Sequence, residues 1–184
     1  MGKDIICQAV SGKGKTAVFI LSVVHQLDED PQPNSVLILC NTRELAYQIK
    51  KECDRFTKYL PKIRKECFFG GVPVKDQIKV LKGANPPHIV IGTPGRILQL
   101  VKDKALVLDN LQVFILDECD KMMDEVDMRK QVQSIYTSVK HQKQVMMFSA
   151  TLSDNTKKIC KMYMKDPFEY YIDTDSKLNL HGLQ

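Results

Sequence analysis

At 184 residues the chain fits one domain, and 43% hydrophobic with 27% charged residues is an ordinary globular make-up. No apolar run approaches the ~18–20 residues of a membrane-spanning helix; residues 1–6 lack the features of a signal peptide, and Ile6 stands where a myristoylation signal needs Ser or Thr, so a soluble, unanchored protein is expected. The 27 basic and 22 acidic residues leave a net charge of +5, which permits phosphate contacts without demanding them. Six scattered cysteines (Cys7, Cys40, Cys53, Cys67, Cys119 and Cys160) form no CxxC pair, so they read as reduced, mostly core thiols of a cytosolic or nuclear protein.

Along the chain, short apolar runs alternate with amphipathic stretches. Residues 5–9 predict a strand, followed by a Gly/Lys loop and a helix over 15–27. Further strands are predicted at 36–40, 66–69, 88–91, 113–117, 144–149 and 168–172. Most are nearly continuous in Val, Ile, Leu or Phe, as parallel strands buried on both faces are. Helices are predicted at 43–58, 73–81, 94–101, 128–139 and 154–164. In the first of these, Leu45, Ile49, Cys53 and Phe56 make one apolar stripe. Asn41 or Thr42 suits its cap, and Pro94 the first turn of a later helix. Alternating strands and helices imply an α/β fold: an open, mostly parallel sheet with helices on both faces. Ligands of such folds bind at the carboxyl ends of the strands, which gathers loops 10–14, 41–43, 70–72, 92–96, 117–120 and 149–151 along one edge. Residues 173–184 lose apolar periodicity and read as a terminus or linker.

Those loops carry the chemistry. Ala9, Val10, Ser11, Gly12, Lys13, Gly14, Lys15 and Thr16 lie between a strand and a helix, the setting of a Walker A phosphate loop. Its N–H groups and the helix dipole suit a triphosphate. Lys15 is placed to reach the β- and γ-phosphates and Thr16 to ligate Mg²⁺. Ala9 replaces the usual first glycine, which is tolerable if its φ is negative. At 113–117 an apolar strand delivers Asp117 and Glu118, a Walker B arrangement: Asp117 for Mg²⁺, Glu118 for the attacking water. Ser149 and Thr151 follow another strand; they suit either a bridge to Asp120 or a simple helix cap. Thr42 and Arg43, Gly70 and Gly71, and Thr93, Pro94, Gly95 and Arg96 suit a nucleic-acid phosphate track, although each is also an ordinary turn or cap residue. Little aromatic interleaving points to backbone gripping rather than base stacking.

At these residues the sequence resembles the DEAD-box family of superfamily 2 RNA helicases. Ala9–Thr16 resembles motif I, Thr42 to Ala46 motif Ia (with Asn41 in place of Pro), Gly70-Gly71 the GG element, Thr93 to Arg96 motif Ib, and Ser149 to Thr151 motif III. Motif II is D-E-C-D at Asp117 to Asp120, which, with residues 178–184, is similar to the eukaryotic DECD-box helicases of spliceosome assembly and mRNA export. The resemblance implies a RecA-like first domain over 1–172 and ATP and Mg²⁺ as ligands. It also implies RNA along motifs Ia, GG and Ib, splicing or export proteins as partners, and nuclear placement. Asp120, Ser149 and Thr151 would couple ATP state to RNA. Eight residues precede Ala9, leaving no room for an upstream Q motif, and 173–184 would begin a linker to a second RecA-like domain. Without that domain's arginine fingers, worth ~10³–10⁵ in rate, the chain is expected to be a nearly inactive ATPase. Other readings are another P-loop NTPase, such as a DNA helicase, or a silent RNA- or protein-binding module.

Overall fold

The computed structural model describes residues 2–10 and 12–172; the predicted linker at 173–184 lies outside them. Seven strands, β1 (Ile5–Gln8), β2 (Val36–Leu39), β3 (Lys65–Phe68), β4 (Ile89–Gly92), β5 (Val113–Asp117), β6 (Gln144–Ser149) and β7 (Phe168–Tyr171), form one sheet. Their order is β3-β4-β2-β5-β6-β1-β7, and every pairing is parallel. The helices are α1 (Lys15–Gln26), α2 (Arg43–Phe56), α3 (Val74–Leu81), α4 (Pro94–Lys102), α5 (Cys119–Asp124), α6 (Val126–Ser138) and α7 (Asp154–Lys161).

Alternate residues of the inner strands feed two cores, as the two-residue repeat of a strand requires. Val36, Ile38, Ile89, Ile91, Val113 and Ile115 pack against α1 and α2. Leu37, Leu39, Val90, Phe114 and Leu116 pack against α3 to α7. Helices therefore cover both faces, as expected. Phe19 of α1 and Phe148 of β6 are fully buried with ring centroids 5.2 Å apart. That contact seats the helix behind the Gly/Lys loop, and truncating either ring to Ala would cost ~3–5 kcal/mol.

Three local differences from the sequence expectation have physical causes. Helix α5 was expected to be loop; six residues are too few for a periodicity, yet Cys119, Met122 and Met123 bury it. Helix α6 starts two residues early because the Glu125 carboxylate accepts from the N–H groups of Asp127 and Met128. Helix α7 stops at Lys161 instead of running to Met164, and Tyr163 packs on Tyr136 from the turn that follows. Strand β7 is exposed and lies at the sheet's edge, pairing among the described residues with β1.

Candidate nucleotide and nucleic-acid site

Because every strand is parallel, all seven carboxyl ends lie on one edge. At β1 the chain enters the Gly/Lys loop through Ala9, whose N–H donates to the carbonyl of Ser149 at 3.0 Å. Ala9 is buried, and its φ is not among the positive ones, so the methyl group is accommodated as expected. Gly12 and Gly14 have φ of 81° and 82°, a region open to glycine at little cost. Gly14 caps α1 with no side-chain bond, which leaves the first N–H groups of the helix free for a ligand. The Lys15 ammonium is folded into the loop, donating to the carbonyls of Ala9 (2.5 Å) and Val10 (3.1 Å). Thr16, in the first turn of α1, is half-buried and also borders a cleft of about 300 Å³ against α2. Ser11 lies outside the described residues.

At the end of β5, Asp117 is buried and burial pushes its carboxyl up to about 6. One oxygen accepts from the N–H of Glu118 at 3.0 Å; the other has no hydrogen-bond partner among the described residues. A buried carboxylate that resists ionisation and keeps one oxygen uncommitted suits a hard divalent cation, so the donors present fit Mg²⁺. Glu118 is left-handed, with φ 53° and ψ 48°. A non-glycine residue in that conformation carries about 1–3 kcal/mol of strain. Cys119 lies in the core with Cys160 of α7, and that neighbouring thiol first, then burial, raises its pKa. The third letter of D-E-C-D is thus a packing residue.

The end of β6 ties these loops together. The Ser149 hydroxyl donates to the Thr151 carbonyl (2.7 Å) and accepts from the Thr151 N–H (3.1 Å). The Thr151 hydroxyl in turn donates to the Asp120 carboxylate at 2.9 Å. Ala9, Ser149, Thr151 and Asp120 form one hydrogen-bonded run. Capping of α7 falls to Ser153, not to these residues.

Farther along the edge, Thr42, Arg43, Gly70, Thr93, Pro94 and Gly95 line one cleft of about 490 Å³. Thr42 caps α2, accepting from the N–H of Leu45 at 3.2 Å. Thr93 caps α4 without a side-chain bond, so that helix keeps its free N–H groups. Gly71 and Arg96 do not line the cleft. Arg96 instead braces its wall, donating to the Val72 carbonyl (3.0 Å) and to the Gln77 side chain (2.7 Å). Gly71 has φ 88°, and a Cβ there would sit 2.5 Å from the Arg43 guanidinium. Met128 and Gln131 of α6 complete the cleft. Neither stands near a motif in sequence, and no local signal marks them.

A family model described as DEAD/DEAH box helicase matches residues 1–159. The ATP-dependent RNA helicase SUB2 of Pyricularia oryzae is 55% identical, over 100% of this chain and 42% of its own length. The chain thus spans about two fifths of the curated relatives it matches. Among solved structures, the yeast DEAD-box splicing factor Prp28 superimposes with TM-score 0.84 at 29% identity, covering 93% of this chain and 42% of Prp28. Dbp5 of S. cerevisiae, solved bound to RNA and ADP BeF3, gives 0.82 at 26% identity, with 93% and 42% covered.

Proposed function

This chain belongs to the DEAD/DEAH box helicase family, and from that premise we propose that it is the ATP-gripping half of an ATP-dependent RNA helicase. Its work is RNA remodelling in pre-mRNA splicing and mRNA export, in the nucleus. A second RecA-like domain completes the engine, and proteins of those pathways are its partners. Likeness to the splicing factor Prp28 and to Dbp5, solved with RNA, supports this reading. One observation carries it: the hydrogen-bonded run from Ala9 through Ser149 and Thr151 to Asp120 joins the phosphate loop to the acidic strand end.

On that reading, Lys15 exchanges the Ala9 and Val10 carbonyls for phosphate oxygens, and the N–H groups of 10–16 wrap the triphosphate. Thr16 and Asp117 would hold Mg²⁺, which would supply positive charge to the phosphates. Glu118 orients the attacking water and accepts its proton. RNA lies by its backbone along Thr42, Arg43, Gly70, Thr93, Pro94 and Gly95, with Gly71 and Arg96 shaping the wall. Thr151 and Asp120 pass the state of the nucleotide to that track.

The test is binding of a fluorescent ATP analogue to the 184-residue chain. Lys15→Ala should lose roughly a hundredfold in affinity or more, about 2.7 kcal/mol. Glu118→Gln should stay within about threefold. If Glu118→Gln loses the nucleotide as completely as Lys15→Ala, Glu118 belongs to binding and not to hydrolysis. Single-stranded RNA affinity should fall steeply with salt through counterion release; a flat salt response removes the phosphate track.

A further inference from the structure

The opposite, amino edge of the sheet carries a groove that the ATP and RNA reading leaves unused. One part, about 430 Å³, lies between the segment before β1, the end of α6 and the turns flanking β6 and β7. A second part, about 340 Å³, continues between α6 and α7 toward Arg129 and Ile159. Tyr136, Met162 and Tyr163 line both, so the two parts adjoin. Its floor is fixed: the Tyr136 and Tyr163 rings meet edge to face at 5.1 Å, and the Tyr136 hydroxyl donates to the Tyr163 carbonyl at 2.9 Å. Its lip is loose and apolar, for Met162 is 82% exposed. An unbranched thioether on an aromatic floor adapts readily to a partner's side chain.

The charge around this channel is positive on balance. Lys143 stands 3.9 Å above the Tyr136 ring, Lys165 is exposed on the rim, and Arg129 closes the far end. Two carboxylates line it among the described residues and offset part of this charge, Asp4 acting on Lys143 and Asp166 on Lys3. Asp4 is buried, with both oxygens taken by the N–H groups of Val145 and Lys165. Asp166 sits outermost, 4.0 Å from Lys3. Cations at both ends of an apolar, rigid-floored channel complement a segment with carboxylates flanking an apolar side chain. RNA fits poorly, because a phosphate backbone would leave Met162 and Ile159 uncovered.

We propose that this groove binds an acidic linear peptide of a partner protein, its apolar side chain seated on Tyr136 and Tyr163 against Met162 and its carboxylates on Lys143, Lys165 and Arg129. The groove lies at the end of the sheet away from the nucleotide, so a bound partner leaves ATP and RNA in place. It also touches α7, which Thr156 ties to Asp124 of α5 at 2.7 Å, immediately behind motif II.

The test is selection of a random twelve-residue linear peptide library displayed on phage against the 184-residue chain. The most enriched peptide is then synthesised with a fluorescent label and titrated by anisotropy. Acidic sequences with a central apolar residue are expected. Their affinity should fall at least about tenfold in Met162→Glu and in Lys165→Glu, both exposed changes that leave the melting temperature in place, and stay unchanged in Lys15→Ala. The proposal is overturned if no peptide is enriched, if the enriched peptides lack acidic residues, or if they bind both groove variants as tightly as the parent. It is also overturned if a twelve-nucleotide oligouridylate displaces them from the groove at comparable concentration.

Discussion

Two stretches of one sheet edge, which the proposed function would set against phosphate, are built in opposite ways. At the ends of β1, β5 and β6, charged groups are held inside the fold at a cost: Asp117 is buried with its carboxyl pushed up to about 6, Glu118 is left-handed, and Lys15 is folded onto its own loop. At the ends of β2, β3 and β4 the surface is made of caps, carbonyls and small residues, with Arg43 exposed on the rim. The first stretch holds free energy that a ligand can release, as a site of chemistry does. The second is relaxed before anything binds, as suits a track for a repeating backbone. Substitution can break this contrast.

The largest effect belongs to Asp117→Asn. The folded-state carboxyl titrates at about 6 against an ordinary value of 3.8, so the folded chain binds this proton more tightly than the unfolded chain does. Stability from this group is therefore lost as pH rises through 3.8 to 6 and stays lost above. Asn cannot ionise and still accepts from the Glu118 N–H. At pH 8 the variant should be more stable by up to about 3 kcal/mol, a rise in melting temperature of roughly 6–12 °C. At pH 4 the gain should be nearly gone. Thermal unfolding at the two pH values reads this directly, and an equal melting temperature at pH 8 would mean that the buried charge carries no cost.

On the relaxed stretch, the two arginines separate by role. Arg43→Ala should weaken single-stranded RNA binding about tenfold and lower the salt slope by about one, the loss of one phosphate contact. Arg96 spends its guanidinium on Val72 and Gln77, so Arg96→Ala should weaken binding with the salt slope intact. If both variants change the slope equally, Arg96 reaches the backbone and the brace is secondary.

The division of labour was only partly legible in the sequence. Continuous apolar runs marked the inner strands β2, β4 and β5, because a parallel strand buried on both faces has few polar positions to blur it. Lys15 and Thr16 were legible from the Gly/Lys loop between a strand and a helix, and Asp117 and Glu118 from the end of an apolar strand. Other features depend on distant contacts. The Arg96 brace requires Gln77 to be delivered from α3, and the entry of Met128 and Gln131 into the cleft depends on how α6 lies across α4. Asp4 reads as an ordinary polar residue before a strand, yet it joins the N–H groups of Val145 and Lys165 across more than 140 residues of chain.

Backbone handedness supplies the finest test of the contrast. Both stretches contain left-handed residues past a strand, but the relaxed one uses Gly71 (φ 88°), whereas the strained one, besides Gly12 and Gly14, places Glu118 there (φ 53°). A Cβ in this conformation meets its own backbone, at ~1–2 kcal/mol, which glycine avoids. Glu118→Gly should therefore be more stable than Glu118→Ala by about 1 kcal/mol, the reverse of the usual order of the two residues in a helix. Both lack the carboxylate, so both should lose hydrolysis alike, and only denaturant unfolding separates them. Gly71→Ala should show the opposite sign, destabilised by about 1 kcal/mol and forced to displace the Arg43 guanidinium. If Glu118→Ala matches or exceeds Glu118→Gly, the glutamate is not held in strain, and the nucleotide end of the edge is as relaxed as the RNA end.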